Sequence, residues 1–239
     1  MLGFRYDSAI LERYPTIRGG VILARGLQNG PTPPALKDAF LAQQRDTLAR
    51  LDGVPLSDVP SLAAWRRAFS AFGVKPTQYR SAAEALLRRL TKKGDIPNIN
   101  LLVDLANLVS IRYALPVAVF DARGAGEAIT VCFAEGDERF TDLGADDAVN
   151  PEPGEVIFVD EGGLVSARRW CWRQSDQSAA SASTTEAIIT VEAHHDGGEA
   201  DVRAAVDDLL ALLRGHAGTG ALALQAAVLS PDAPEILQD

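Results

Sequence analysis

Residues 153–175 read PGEVIFVDEGGLVSARRWCWRQS, and the fold class turns on this stretch. Val156 to Asp160 is a short β-branched and aromatic run, Glu161-Gly162-Gly163 is a turn, and Leu164 to Trp172 is a second run. The spacing predicts a β-hairpin. Period two in the second strand would put Arg169, Cys171 and Arg173 on one side and Arg168, Trp170, Trp172 and Gln174 on the other. Moving outward, Val117 to Asp121, Ile129 to Ala134 and Ala187 to Ala193 read as further strands.

Upstream the period changes to that of helices. Ser61 is placed to cap a helix with Trp65, Phe69 and Phe72 on one face, ending at Gly73. Ser81 and Glu84 form a capping box for AAEALLRRL at 82–90, with Gly94 as its end. Asn100 is placed to cap an apolar helix carrying Leu101, Leu105, Leu108 and Val109, which Pro116 forbids from continuing. Before these come a strand, VILAR at 21–25, and a helical pattern from the Pro31, Pro33, Pro34 cluster to Leu51. After the strands, Asp201 heads VRAAVDDLLALLR with Val202, Val206, Leu209, Leu210 and Leu213 on one face. Helices early, strands in the middle and one late helix predict an α+β fold rather than an alternating doubly wound sheet. The expected organisation is an N-terminal lead-in over 1–60, a main domain over 61–215 and a C-terminal tail over 216–239.

The chain has 239 residues, 47% of them hydrophobic, enough to fill a substantial core. No run approaches the roughly 20 apolar residues that cross a bilayer, and Arg5, Tyr6 and Asp7 stand where a signal peptide needs an apolar stretch. A cytoplasmic protein without membrane partners is expected. The net charge of -9 argues against bulk electrostatic coating of DNA or RNA. Between Ser61 and Asp95, however, eight basic residues face two acidic ones, with Arg88, Arg89, Lys92 and Lys93 clustered at one helix end. That cluster is a candidate RNA-phosphate surface, although cations also suit a helix C-terminus without any partner. GxGxxG after a strand, GKS or GKT loops and GxSxG are absent, so no nucleotide cofactor is expected. Cys132 and Cys171 lack CxxC or HxxxH spacing and read as buried thiols, while His194, His195 and His216 read as surface residues. No metal site is expected.

Three stretches, GVKPTQYRSAAEALLRRL (73–90), IPNINLLVDLANLVSIRYALPVAVFD (96–121) and residues 153–175, together resemble the B3/B4 domain. That domain occurs in the β subunit of phenylalanyl-tRNA synthetase, where it hydrolyses wrongly charged tRNA, and in small free-standing proteins, to which the likeness is closer. The resemblance implies a mixed or antiparallel sheet core, open or curled into a barrel, flanked by helices. It also implies a pocket for an amino acid or aminoacyl ester. A chain without a synthetase core or class-defining ATP motif does not ligate tRNA.

The family commonly carries a histidine in a sequence like QPMHAFD and a glutamate in one like GGEHSG. LPVAVFD here places Ala118 at the histidine, and WRQS places Gln174 nearest the glutamate. The expected pocket lies between the Asn100–Ser110 helix and the Leu164–Ser175 strand. It would be lined by Asn100, Asp104, Asn107, Ala118, Trp170, Trp172, Arg173 and Ser175, with Gln174 orienting an attacking water. Asp104 on an apolar helix needs a cation or several donors, which leaves ammonium recognition and a structural anchor both open. Trp170 and Trp172 offer either a stacking wall or ordinary packing under arginine. Two functions follow: an editing hydrolase acting on mischarged aminoacyl-tRNA, or a non-catalytic module binding a free amino acid or related metabolite.

Overall fold

The computed structural model describes residues 2–126 and 128–238. In chain order they form β1 (Leu2–Tyr6), α1 (Ser8–Arg13), β2 (Arg18–Leu27), α2 (Pro34–Arg50), α3 (Pro60–Ala71), α4 (Ala82–Lys93) and α5 (Leu101–Tyr113). Then follow β3 (Val117–Asp121), α6 (Ala122–Ala125), β4 (Ala128–Phe133), β5 (Phe140–Thr141), β6 (Ala148–Val149), β7 (Val156–Val159), β8 (Val165–Arg168) and β9 (Arg173–Gln174). The chain closes with β10 (Glu186–Ala193), α7 (Gly198–His216), β11 (Gly218–Leu229) and β12 (Glu235–Gln238).

Two sheets carry the fold. One is six-stranded in the order β12-β1-β4-β7-β8-β9, and the other is four-stranded in the order β11-β2-β10-β3. The first is mixed because β1 and β4 run parallel, whereas every ladder of the second is antiparallel. Both sheets are open, so the expected α+β architecture stands without closure into a barrel. Period-two alternation builds three layers. On β2 and β10, Ile22, Ala24, Ala187, Ile189 and Val191 face a core shared with α2, α4, α5 and α7. Val21, Leu23 and Ile188 on the opposite face join Phe4, Ile129, Val156 and Phe158 of the six-stranded sheet. The four-stranded sheet is therefore the middle layer, and its two central strands, β2 and β10, are buried on both faces along most of their length.

Several local expectations change. The helix expected after Ser61 begins at Pro60 with Val59 as its cap, because proline suits a first turn that needs no N–H. The Ser61 hydroxyl instead donates to the Ala114 carbonyl at 2.9 Å. The last helix begins at Gly198 behind Gly197 (φ 79°), so Asp201 sits inside its first turn, where a carboxylate suits the helix dipole. The residues assigned to the tail supply β11 and β12, an outer strand for each sheet. Those assigned to the lead-in supply β2, which lies between β11 and β10. Asn100 does cap α5, accepting from Val103 N–H at 3.1 Å, and Ser81 accepts from Glu84 N–H at 3.3 Å. Among the described residues, no helix is long and apolar enough to cross a membrane.

Candidate functional site

The second strand of the expected hairpin does not run on to Trp172. It stops at Arg168, because Arg169 and Trp170 take left-handed backbone angles (φ 45° and 59°), rare for residues with a Cβ. A buried carboxylate holds the break. Glu155, 5% exposed, accepts from Arg168 Nη2 at 2.7 Å and Nε at 3.0 Å, while Arg169 Nη2 lies 2.8 Å from it. The turn redirects the chain so that Trp170 to Gln174 become one wall of a cavity between the two sheets. The amide of Ala82, at the start of α4, fastens this wall by donating to the Cys171 carbonyl at 2.8 Å.

The cavity has a volume of about 80 Å³, room for several waters or a small ligand group. Phe158 and Ala167 of the six-stranded sheet line one side, and Ala118, Phe120, Thr190 and Glu192 of the four-stranded sheet line the other. Thr190 and Glu192 belong to the face of β10 that also carries Ile188, and Thr190 pairs with Ala118 across the β10–β3 ladder. Glu192 is 2% exposed. Its Oε1 accepts from Tyr6 Oη at 2.6 Å and from Trp170 Nε1 at 3.0 Å. Burial raises the Glu192 carboxyl to about 7, against the lowering effect of those two donors. Cys171 sits half-buried beside it, and burial holds its thiol well above the ordinary range, so the protonated form prevails and nucleophilicity is poor.

Of the residues singled out by sequence, Ala118, Trp170, Trp172, Arg173 and Gln174 come together at this cavity. Gln174 donates both amide hydrogens, to Val119 O at 2.8 Å and Ser178 O at 2.9 Å, tying the edge strand β9 to the edge strand β3. Trp170 is fully buried and packs edge-on against Tyr14, Trp65 and His194. Trp172 is stacked by its own neighbours, with the Arg169 and Arg173 guanidiniums 4.9 and 4.7 Å from its ring centre. Arg173 is itself held by Asp142 at 2.6 Å.

The other candidates lie elsewhere. Asp104, fully buried on α5, accepts from Thr32 Oγ1 at 2.5 Å, Asn98 Nδ2 at 2.7 Å and Ile99 N–H at 2.9 Å. Asn100 combines its capping with a bond from Nδ2 to Ala180 O at 3.1 Å. Asn107 is half-buried on the same helix, and α5 contributes nothing to the cavity lining. Ser175 is buried and donates to Ser178 Oγ at 2.9 Å. Among the cationic candidates, Arg88 and Lys92 share a groove of about 430 Å³ with Arg66. Arg89 pairs with Asp95 at 3.5 Å, and Lys93 is exposed in the last turn of α4.

The histidine expectation also changes. His194 is buried, and desolvation among the aromatic rings lowers its pKa to about 3. His195 Nε2 sits 2.8 Å from Asp201 Oδ2; only His216 is exposed. Glu192 is the buried carboxylate at the cavity that sequence reasoning missed. A signal was present, since Thr190 and Glu192 interrupt one face of a strand whose other face is wholly apolar.

No curated protein sequence matches the chain. A crystal structure of an N-terminal fragment of the phenylalanyl-tRNA synthetase beta-subunit from Pyrococcus horikoshii is similar over 94% of this chain and 53% of that one, at 11% identity and a TM-score of 0.47. The chain thus spans about half the length of that fragment. The B3/4 domain family matches residues 64–214, which include the cavity wall, β3, β10 and α4, and the chain belongs to that family.

Proposed function

We propose that the inter-sheet cavity binds the amino-acid end of a small molecule, either a free amino acid or an aminoacyl ester, and that Glu192 recognises its ammonium group. The observation that carries this reading is a buried carboxylate at a cavity wall with both protein hydrogen bonds on one oxygen. Such a group needs a cation or donor from the cavity side. Ala118 supports it by leaving the adjoining space on β3 unfilled.

Hydrolysis of a mischarged aminoacyl-tRNA is the catalytic form of this function. In this form Glu192 anchors the substrate by its ammonium group and so fixes the ester beside the water that attacks it. An activated ester needs little more than a positioned water and polarising donors. Gln174 then acts as a brace for the cavity wall, its amide hydrogens directed to two main-chain carbonyls. Arg88, Arg89, Lys92 and Lys93 are the surface for tRNA phosphates in this form. The same brace also favours the second reading, a binding module for free amino acids, because the Gln174 amide hydrogens are already engaged by main-chain carbonyls.

The test is deacylation of a panel of radiolabelled aminoacyl-tRNAs alongside equilibrium binding of the free amino acids. Hydrolysis that falls at least tenfold in Glu192→Gln selects the enzyme, and saturable binding without hydrolysis selects the module. If neither occurs, the cavity reading is wrong. In the enzymatic case, reversing Arg88, Arg89, Lys92 and Lys93 together should weaken tRNA binding and flatten its salt dependence; an unchanged salt slope would make these residues an ordinary solvated helix end.

A further inference from the structure

Tyr6 closes β1, far in sequence from residues 64–214 that carry the family match. It nevertheless reaches the cavity carboxylate, donating to Glu192 Oε1 at 2.6 Å across 186 positions of sequence. The path it takes is shaped by Gly19, which stands directly opposite Glu192 in the β2–β10 ladder. A Cβ built on Gly19 would lie 2.2 Å from Tyr6 Oη and 2.8 Å from Tyr6 Cε2. Its role is one of space, because any side chain there would displace the phenol. Trp170 Nε1 reaches the same Oε1 from the cavity wall at 3.0 Å, so two donors far apart in sequence converge on one oxygen.

We propose that Tyr6 is a positioning residue for the cavity: using the gap left by Gly19, it holds Glu192 Oε1 and thereby turns Oε2 to a ligand's polar hydrogen. An oxygen accepting two such bonds carries the negative charge of the ionised form, so a proton taken up by Glu192 goes to Oε2. The cavity oxygen is consequently an acceptor when Glu192 is ionised and a donor when it is protonated. Removing one of the two donors takes away stabilisation of the ionised form, which moves the titration upward. The other titratable and charged groups around Glu192 are the Cys171 thiol and the Arg173 guanidinium at the cavity wall, and neutral His194 two residues along β10. Burial keeps Tyr6 itself protonated. The functional consequence rests on the proposed ligand site, whereas the positioning itself is measurable without a ligand.

The experiment is a ligand-free pH titration by NMR of protein labelled with carboxyl-13C glutamate, with the Glu192 resonance identified by its loss in Glu192→Gln. Wild type should titrate near 7. Tyr6→Phe should raise the midpoint by on the order of one pH unit, and Gly19→Ala should move it in the same direction by displacing the hydroxyl. A residue that only packed would lower the melting temperature and leave the midpoint in place, so an unmoved midpoint in Tyr6→Phe overturns the proposal. Should Tyr6→Phe fail to fold, Gly19→Ala decides by the same criterion. A raised midpoint in a protein that binds no amino acid and hydrolyses no ester upholds the positioning and sinks the cavity reading instead.

Discussion

Asp104 and Glu192 are both carboxylates buried to within 2% in largely apolar surroundings, yet their coordination differs. Asp104 receives donors on both oxygens, from Thr32 and Asn98 on Oδ2 and from the Ile99 amide on Oδ1. Asn98 and Ile99 belong to the segment that leads into α5 and Thr32 to the one that leads into α2, so the carboxylate pins the entries of two helices together. Glu192 receives two donors on Oε1 alone and lines a cavity. A buried carboxylate closed on all sides serves as an anchor; one closed on a single oxygen is still open to a partner. Burial alone therefore does not separate these two carboxylates, and the distribution of their donors does.

The largest effect should come from breaking the closed site. Asp104→Ala leaves Asn98 Nδ2 and the Ile99 amide without their acceptor, and urea denaturation should show a loss of roughly 4 kcal/mol. Amino-acid affinity of the remaining folded protein should change by less than about twofold, because additivity holds for distant sites. A large affinity loss at unchanged stability would make Asp104 the recognition group.

The second effect belongs to the open site and is read against pH. The Glu192 carboxyl is raised from 4.5 to about 7 on folding, so the native state binds its proton more tightly than the unfolded chain. Its contribution to stability is full below pH 4.5 and is lost as pH rises to about 7, on the order of 3 kcal/mol over that window. The difference in unfolding free energy between wild type and Glu192→Gln should show this slope, which isolates it from carboxylates such as Asp121 whose pKa is lowered. A parallel pair of pH profiles would mean that Glu192 is as closed as Asp104.

The smallest effect sharpens the contrast. Thr32→Val keeps the shape of the side chain and removes one of the donors to Asp104. A loss of about 1–2 kcal/mol is expected, with the Glu192 midpoint unchanged in the carboxyl titration. A shift of that midpoint would show that the two carboxylates are coupled through the four-stranded sheet.

Much of this architecture is legible in the chain. VAVFD at 117–121 is strand β3 from end to end, Asn100 caps α5 as its place before an apolar helix requires, and Glu161-Gly162-Gly163 joins β7 to β8. These features are local: a cap, a turn and a period depend on residues a few positions apart. RRWCWRQ at 168–174 misled for the same reason. Alternation predicts a strand there, and the left-handed turn at Arg169 and Trp170 exists because Glu155, more than a dozen residues away, gathers two guanidiniums beneath it.

The sequence by itself determined the helix and strand periods, the α+β class and the family signature. It also marked Ala118, Trp170, Trp172, Arg173 and Gln174, which the fold gathers at one cavity. Only the tertiary structure decided which buried carboxylate faces that cavity. That choice depends on where β1, β10 and the wall after β8 meet: Tyr6, Gly19, Trp170 and Glu192 are spread over 186 positions of the chain. No local period records such a meeting, because it follows from the stacking of two sheets and from the absence of one side chain between them.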